Sequence, residues 1–150
     1  MVSRVIPVEP FDLVIFGGTG DLARRKILPG LYRRFVAGQM VAESRIIGAA
    51  RADLTDEGFR AQMREALAEF VPKARQDAAA IEGFLGRLHY VPIDATGTGG
   101  WATLKALMRE TVVRAFYFSV APRLFGDCLL YTSQPAAALL SVELGGRPYF

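Results

Sequence analysis

The chain has 150 residues, 51% of them hydrophobic and 22% charged, with a formal net charge of +3. That is enough apolar material for the core of one ordinary domain and excludes disorder as the main state. A pI near 9.3 fits mild affinity for anions rather than a dedicated nucleic-acid surface. The single cysteine and single histidine, Cys128 and His89, exclude an internal disulfide and the usual zinc sites.

The first ten residues lack a basic segment followed by a long apolar region, and no run of roughly eighteen apolar residues occurs anywhere. A secretory signal and a membrane span are therefore not expected, and the cytoplasm is the default compartment. Phe11 to Phe16 (FDLVIF) is a short apolar run of β-formers between Pro10 and Gly17-Gly18, which suits a strand buried on both faces. Asp21 to Leu28 carries helix formers, Pro29-Gly30 interrupts, and helical spacing resumes through Leu31, Phe35 and Val36, predicting a helix broken at Pro29. Arg45 to Ala50 (RIIGAA) predicts a second strand. Thr55, followed by acidic residues, predicts the N-cap of a helix carrying Phe59, Met63, Ala66, Leu67 and Phe70.

Pro72 closes that helix, and a further helical stretch is expected from Lys73 to about Leu85. Leu88 to Ile93 (LHYVPI) has strand composition, weakened at its end by Pro92. Gly97-Thr98-Gly99-Gly100 is a loop, Trp101 to Arg109 places Trp101, Leu104, Leu107 and Met108 at helical spacing, and Arg114 to Val120 is the most β-prone run, ended by Ala121-Pro122. Strands separated by ten or more helical residues imply parallel pairing with right-handed crossovers. The expected fold is α/β: a doubly wound, mostly parallel sheet with helices on both faces.

Between the first strand and the first helix stands Gly17-Gly18-Thr19-Gly20-Asp21-Leu22-Ala23, a G-x-x-G-x-x-A spacing. The first glycine permits a tight turn, the second lets a pyrophosphate approach backbone amides at the helix N-terminus, and the small third residue lets the helix pack on the strand. An ordinary glycine turn is the competing reading, and the strand-turn-helix-strand context favours a dinucleotide. Where NAD-specific domains end their second strand on a carboxylate, this one runs Gly48-Ala49-Ala50 into Arg51. An arginine grips a 2′-phosphate through charge-assisted hydrogen bonds of about 1.5–3 kcal/mol, so NADP is favoured with NAD possible. Asp53, two residues on, is an alternative ribose ligand, and the competing reading is that Arg51 and Asp53 are solvated residues at the end of a strand. Of the cations along the first helix, Arg24 and Lys26 stand nearest the turn, and Arg25, Arg33 and Arg34 suit a solvated face.

The segments FGGTGDLARRKILPGLY, RIIGAAR and RAFYFSVAPRLFG together resemble the coenzyme domain of the glucose-6-phosphate dehydrogenase family, over about residues 10 to 127, which implies a Rossmann-like, incomplete sheet in the order 3-2-1-4. The resemblance implies oxidation of D-glucose 6-phosphate at C1 to 6-phosphoglucono-δ-lactone with reduction of NADP, the step that opens the pentose phosphate pathway. It further implies coenzyme contacts from Gly17, Gly18, Thr19, Gly20, Asp21, Leu22, Ala23 and Arg24, from Arg51 at the 2′-phosphate, and from Tyr117, whose alternative is a buried strand aromatic. The family's base histidine comes from a His-Tyr segment in a large second domain; the His-Tyr pair here, His89-Tyr90, stands in the LHYVPI strand instead, and the family's Glu-Lys-Pro segment does not occur. His89 is upstream of any such position and is expected to be structural, so no catalytic residue and no metal ligand is assigned, and the chain by itself is expected not to catalyse.

Two other readings compete. A short-chain dehydrogenase or epimerase needs a Tyr-x-x-x-Lys pair, but the fourth residues after Tyr32, Tyr90, Tyr117 and Tyr131 are Val36, Asp94, Ala121 and Pro135. An NADP-binding regulatory module would keep the turn and need no base. Residues 1–127 are thus expected to form the dinucleotide-binding domain. Residues 128–150 depart from the family pattern, with a short helix expected around Pro135 to Leu144, and the change of pattern suggests a truncated gene fragment or a junction with foreign or frame-shifted sequence. An incomplete sheet would leave an exposed edge and marginal stability, and any homo-oligomer is expected only through the second domain.

Overall fold

The computed structural model describes residues 9–94 and 99–119, and the backbone alone of 137–139, 142–144 and 147–149. The turn at Ala121–Pro122, Cys128, and the Gly97-Thr98 half of the glycine loop lie outside the described residues.

In chain order come β1 (Phe11–Phe16), a π-helical turn (Ala23–Ile27), α1 (Leu28–Val36), β2 (Arg45–Ala50), α2 (Asp56–Phe70), a 3-10 turn (Lys73–Arg75) and α3 (Ala78–Leu85). They are followed by β3 (Leu88–Pro92), α4 (Trp101–Leu107), β4 (Val113–Phe118), β5 (Ala137–Leu139), β6 (Val142–Leu144) and β7 (Arg147–Tyr149). The main sheet runs β3-β2-β1-β4-β5 with every pair parallel, which is the expected order with one strand added beyond β4. The second pair, β6 and β7, is antiparallel.

Strand alternation sends side chains to two cores. Leu13, Ile15, Ile46, Leu88, Tyr90 and Ala115 meet Leu28, Tyr32, Phe59, Met63, Leu67, Phe84 and Leu85 from α1, α2 and α3. On the opposite face Val14, Phe16, Ile47, Ala49, Val91, Phe116 and Phe118 meet Trp101, Leu104 and Met108. Phe16 stacks on Phe118 at a ring separation of 5.4 Å, which buries the end of β1 just before the glycine turn. Helices on both faces of a parallel sheet make the domain doubly wound.

Three elements differ from expectation. Pro29 does not break the first helix: it lies in the first turn of α1, preceded by the π-helical turn in which the Leu28 N–H donates to Ala23 O. The extra residue in that turn lets the chain enter a position where proline, lacking an N–H, is tolerated. The stretch from Lys73 splits into a 3-10 turn and α3, because Gln76 is extended and the Asp77 carboxylate caps a fresh helix by accepting from Ala79 and Ala80 N–H. Around Pro135 to Leu144 the described residues are strands rather than a helix, and Ala137–Leu139 pairs with Arg114–Phe116 of β4. Parallel pairing on an open sheet edge supplies the backbone partners that a short helix would otherwise have to supply itself.

Candidate functional site

Parallel pairing of Phe16 with Ala49 and with Phe118 brings the carboxyl ends of β2, β1 and β4 side by side. The order reverses at β1, between β2 and β4, and this is where open α/β sheets form a ligand crevice. The glycine turn leaves β1 there. Gly17 adopts φ +81°, a left-handed conformation that a Cβ disfavours. Its N–H and that of Gly18 both donate to Ala49 O, at 2.8 and 3.3 Å, while Gly20 N–H donates to Gly17 O at 2.9 Å and Arg24 N–H to Gly20 O at 3.1 Å. The helical winding therefore starts at the turn, at the carboxyl edge of the sheet.

Each small residue has its own cause. A Cβ on Gly18 would stand 2.9 Å from Gly48 Cα and 3.2 Å from Ile15 O, so this glycine is set by contact with β2. Ala23 is fully buried and seats the helix on the sheet. Thr19, Gly20 and Leu22 are half-buried, and Asp21 is exposed and paired with Arg25 Nε at 2.7 Å. The Arg24 Nε is buried with no hydrogen-bond partner. A buried cationic donor in that state is costly unless an anion or another acceptor meets it.

Arg51 follows β2 at the same edge, exposed and without an ion pair among the described residues. Tyr117 pairs in register with Ile15 and is partly buried against the core on the α1 side. His89 lies toward the opposite end of its strand, with Nδ1 3.5 Å from Asp56 Oδ2. The structure thus gathers the turn, Arg24 and Arg51 at one edge, with Tyr117 on the adjoining strand.

The sequence did not single out the group behind this edge. A Cβ on Gly48 would fall 2.5 Å from Phe59 Cζ; the Phe59 ring lies 5.2 Å from that of Tyr90; and the Tyr90 hydroxyl reaches Ala52 O at 2.6 Å and Ala50 O at 3.0 Å. A lone glycine inside a strand is a legible sign of close approach. Nothing in LHYVPI marks where the tyrosine hydroxyl goes.

Burial pushes the Tyr90 phenol above its ordinary value of 10.0, and the Asp53 carboxylate adds to the rise. The folded state therefore favours the neutral, donating form. The resulting stability is complete below the unfolded value and is lost as pH rises through the folded one. The expected result is a melting temperature that falls more steeply between about pH 9 and 11 in the wild type than in Tyr90→Phe. Parallel curves would remove the hydroxyl from the account.

The family described as "Glucose-6-phosphate dehydrogenase, NAD binding domain" matches residues 14–141, past Asp127. The glucose-6-phosphate 1-dehydrogenase of Rhizobium meliloti is 48% identical over 129 residues, covering 85% of this chain and 26% of its own length. That of Gluconobacter oxydans is 46% identical over 124 residues, covering 80% and 25%. The crystal structure of glucose-6-phosphate 1-dehydrogenase from Mycobacterium avium superimposes with a TM-score of 0.80 at 29% identity, covering 89% of this chain and 29% of that one. The chain spans about a quarter of the length of the curated relatives it matches. With the glycine turn, the 3-2-1-4 order and this match in agreement, the chain belongs to the family of NAD-binding domains of glucose-6-phosphate dehydrogenase.

Proposed function

We propose that this domain binds NADP across the carboxyl ends of β1 and β2, and that with the rest of its enzyme it serves the oxidation of D-glucose 6-phosphate to 6-phosphoglucono-δ-lactone. The observation that carries the reading is the placement of the glycine turn and of Arg51, a cation with no described ion pair, on adjacent strand ends. The residues present fit the coenzyme. The first amides of the helix after Gly17 and the unpartnered Arg24 Nε match a pyrophosphate, and Arg51 matches a 2′-phosphate that NAD lacks. Gly18, Thr19, Gly20, Asp21, Leu22 and Ala23 form the turn that receives it, and Tyr117 borders the crevice. When bound, NADP supplies the hydride acceptor. This chain's own residues bind and orient it, and no base for the sugar hydroxyl is assigned among them.

No described helix is long and apolar enough to cross a membrane, and we place the enzyme in the cytoplasm with a small sugar phosphate as substrate and no nucleic-acid partner. Association into homo-oligomers is assigned to parts of the enzyme beyond this domain. Residues 128–150 are set apart from the coenzyme domain only as a proposal. The change of pattern after Gly126-Asp127 supports it, the family match to residue 141 opposes it, and the reading frame at the source locus decides.

Calorimetric titration of the chain with NADP and with NAD tests the coenzyme assignment. Arg51→Ala is expected to weaken NADP by about tenfold to a hundredfold while leaving NAD within about twofold, the size of a lost charge-assisted hydrogen bond. An equal loss for both coenzymes would remove Arg51 from the 2′-phosphate.

A further inference from the structure

Arg51 is an exposed, flexible side chain, so the protein controls its reach chiefly through the backbone that bears it. That backbone is pinned on both sides. Ala50 O, on the residue before, accepts the last rung of the β2–β3 ladder from Ile93 N–H at 2.8 Å. Ala52 O, on the residue after, lies 2.6 Å from the Tyr90 hydroxyl. A phenol has one proton, and the shorter distance assigns it to Ala52, with Ala50 O at 3.0 Å within its reach.

The far end of the same loop is tied to the same residue. Tyr90 N–H donates to Asp56 Oδ1 at 2.8 Å, Asp56 opens α2, and Thr55 caps that helix through Gly58 N–H at 3.1 Å. The tyrosine is itself fixed, 5% exposed, with its ring against Phe59. One residue of β3 thus holds both ends of the loop from Arg51 to Thr55.

We infer that Tyr90 is a positioning residue for Arg51, and that its hydroxyl sets the domain's preference for a 2′-phosphorylated dinucleotide over one without that phosphate. The inference rests on the reading of Arg51 given above. Affinity for the phosphorylated coenzyme scales with the fraction of loop conformers in which the guanidinium stands beside the ribose edge. A coenzyme with a free 2′-hydroxyl does not draw on that fraction. A phenol keeps its donor proton across the neutral range at its ordinary value, and burial extends the donating form to higher pH.

The test is a double-mutant cycle on the 150-residue chain, with NADP and NAD affinities measured for wild type, Tyr90→Phe, Arg51→Ala and the double variant. Phenylalanine keeps the ring packing and removes only the donor. Tyr90→Phe is expected to weaken NADP about three- to tenfold, to leave NAD within about twofold, and to have no further effect once Arg51 is alanine. Raising the pH through the phenol's titration should lower the NADP-to-NAD preference of the wild type and leave that of Tyr90→Phe unchanged. If Arg51→Ala weakens NADP while Tyr90→Phe does not, the positioning role is overturned and the coenzyme reading stands. Equal weakening of both coenzymes by Tyr90→Phe also overturns it, since a general structural role acts on both. If Arg51→Ala itself leaves NADP unchanged, the underlying reading falls and the inference with it.

Discussion

Replacing Asp12 by alanine is expected to destabilise the domain by about 3–5 kcal/mol, the cost of removing one partner of a buried ion pair. Asp12 is fully buried inside an otherwise apolar strand. Its carboxylate accepts from Arg109 N–H at 2.8 Å and from the Arg109 guanidinium at 2.6 Å, across 97 residues of sequence. Its neighbours in register are Arg45 on β2 and Arg114 on β4, and Arg114 is itself buried, with Nε donating to Arg109 O at 3.0 Å. The carboxylate pairs with Arg109 alone, while the guanidinium groups of Arg45 and Arg114 donate to the carbonyls of Leu107 and Arg109. The same Arg109 also holds Glu43 O, so the pair fastens the entry to β2 and the entry to β4 onto the start of β1. For a domain of this size the expected fall in melting temperature is on the order of 10 °C, measured by circular dichroism. A fall of less than about 2 °C would show that Arg109, whose side chain is 26% exposed, rehydrates without cost. Asparagine at this position, which keeps acceptor capacity, should fall between.

Gly18→Ala is expected to weaken NADP by more than about tenfold, together with a loss of about 1–3 kcal/mol in stability from overpacking. The new Cβ meets Gly48 Cα and Ile15 O, both backbone, and neither can swing aside as a flexible side chain would. The turn must move away from β2, loosening the hydrogen bonds from Gly17 and Gly18 N–H to Ala49 O that aim the helix start at the crevice. Calorimetry with NADP and a thermal melt of the same sample separate the two effects. Undiminished NADP affinity would show that the turn tolerates displacement and that its register with β2 does not set the site.

Much of this architecture is legible in short-range pattern. Phe11–Phe16 and Arg45–Ala50 stand where apolar runs bounded by turn residues place them, because a strand buried on both faces reads as a nearly continuous apolar run. Thr55 caps α2 as its chemistry predicts. Chemistry near Pro29 and Gln76 was less legible. A proline marks where a helix is stressed, but whether the chain breaks or widens into a π-turn depends on how Ala23 and Leu28, both fully buried, seat against the sheet. The strand at Ala137–Leu139 depends on an open partner edge on β4, which no local composition announces.

The sequence by itself determined the class of the domain, the glycine turn and the cation at the end of β2, since each follows from residues within a few positions of one another, whereas the strand order was legible only through the resemblance of segments spread along the whole chain. Tertiary structure alone decided that Gly18 answers to Gly48, that Gly48 answers to Phe59, that Asp12 holds Arg109, and that Tyr90 ties down both ends of the loop bearing Arg51. These partners lie on different elements, up to 97 residues apart. Their contacts exist only once the parallel strands have fixed their register, because a shift of one residue would turn the strand side chains among them, Asp12 and Tyr90, to the other face of the sheet.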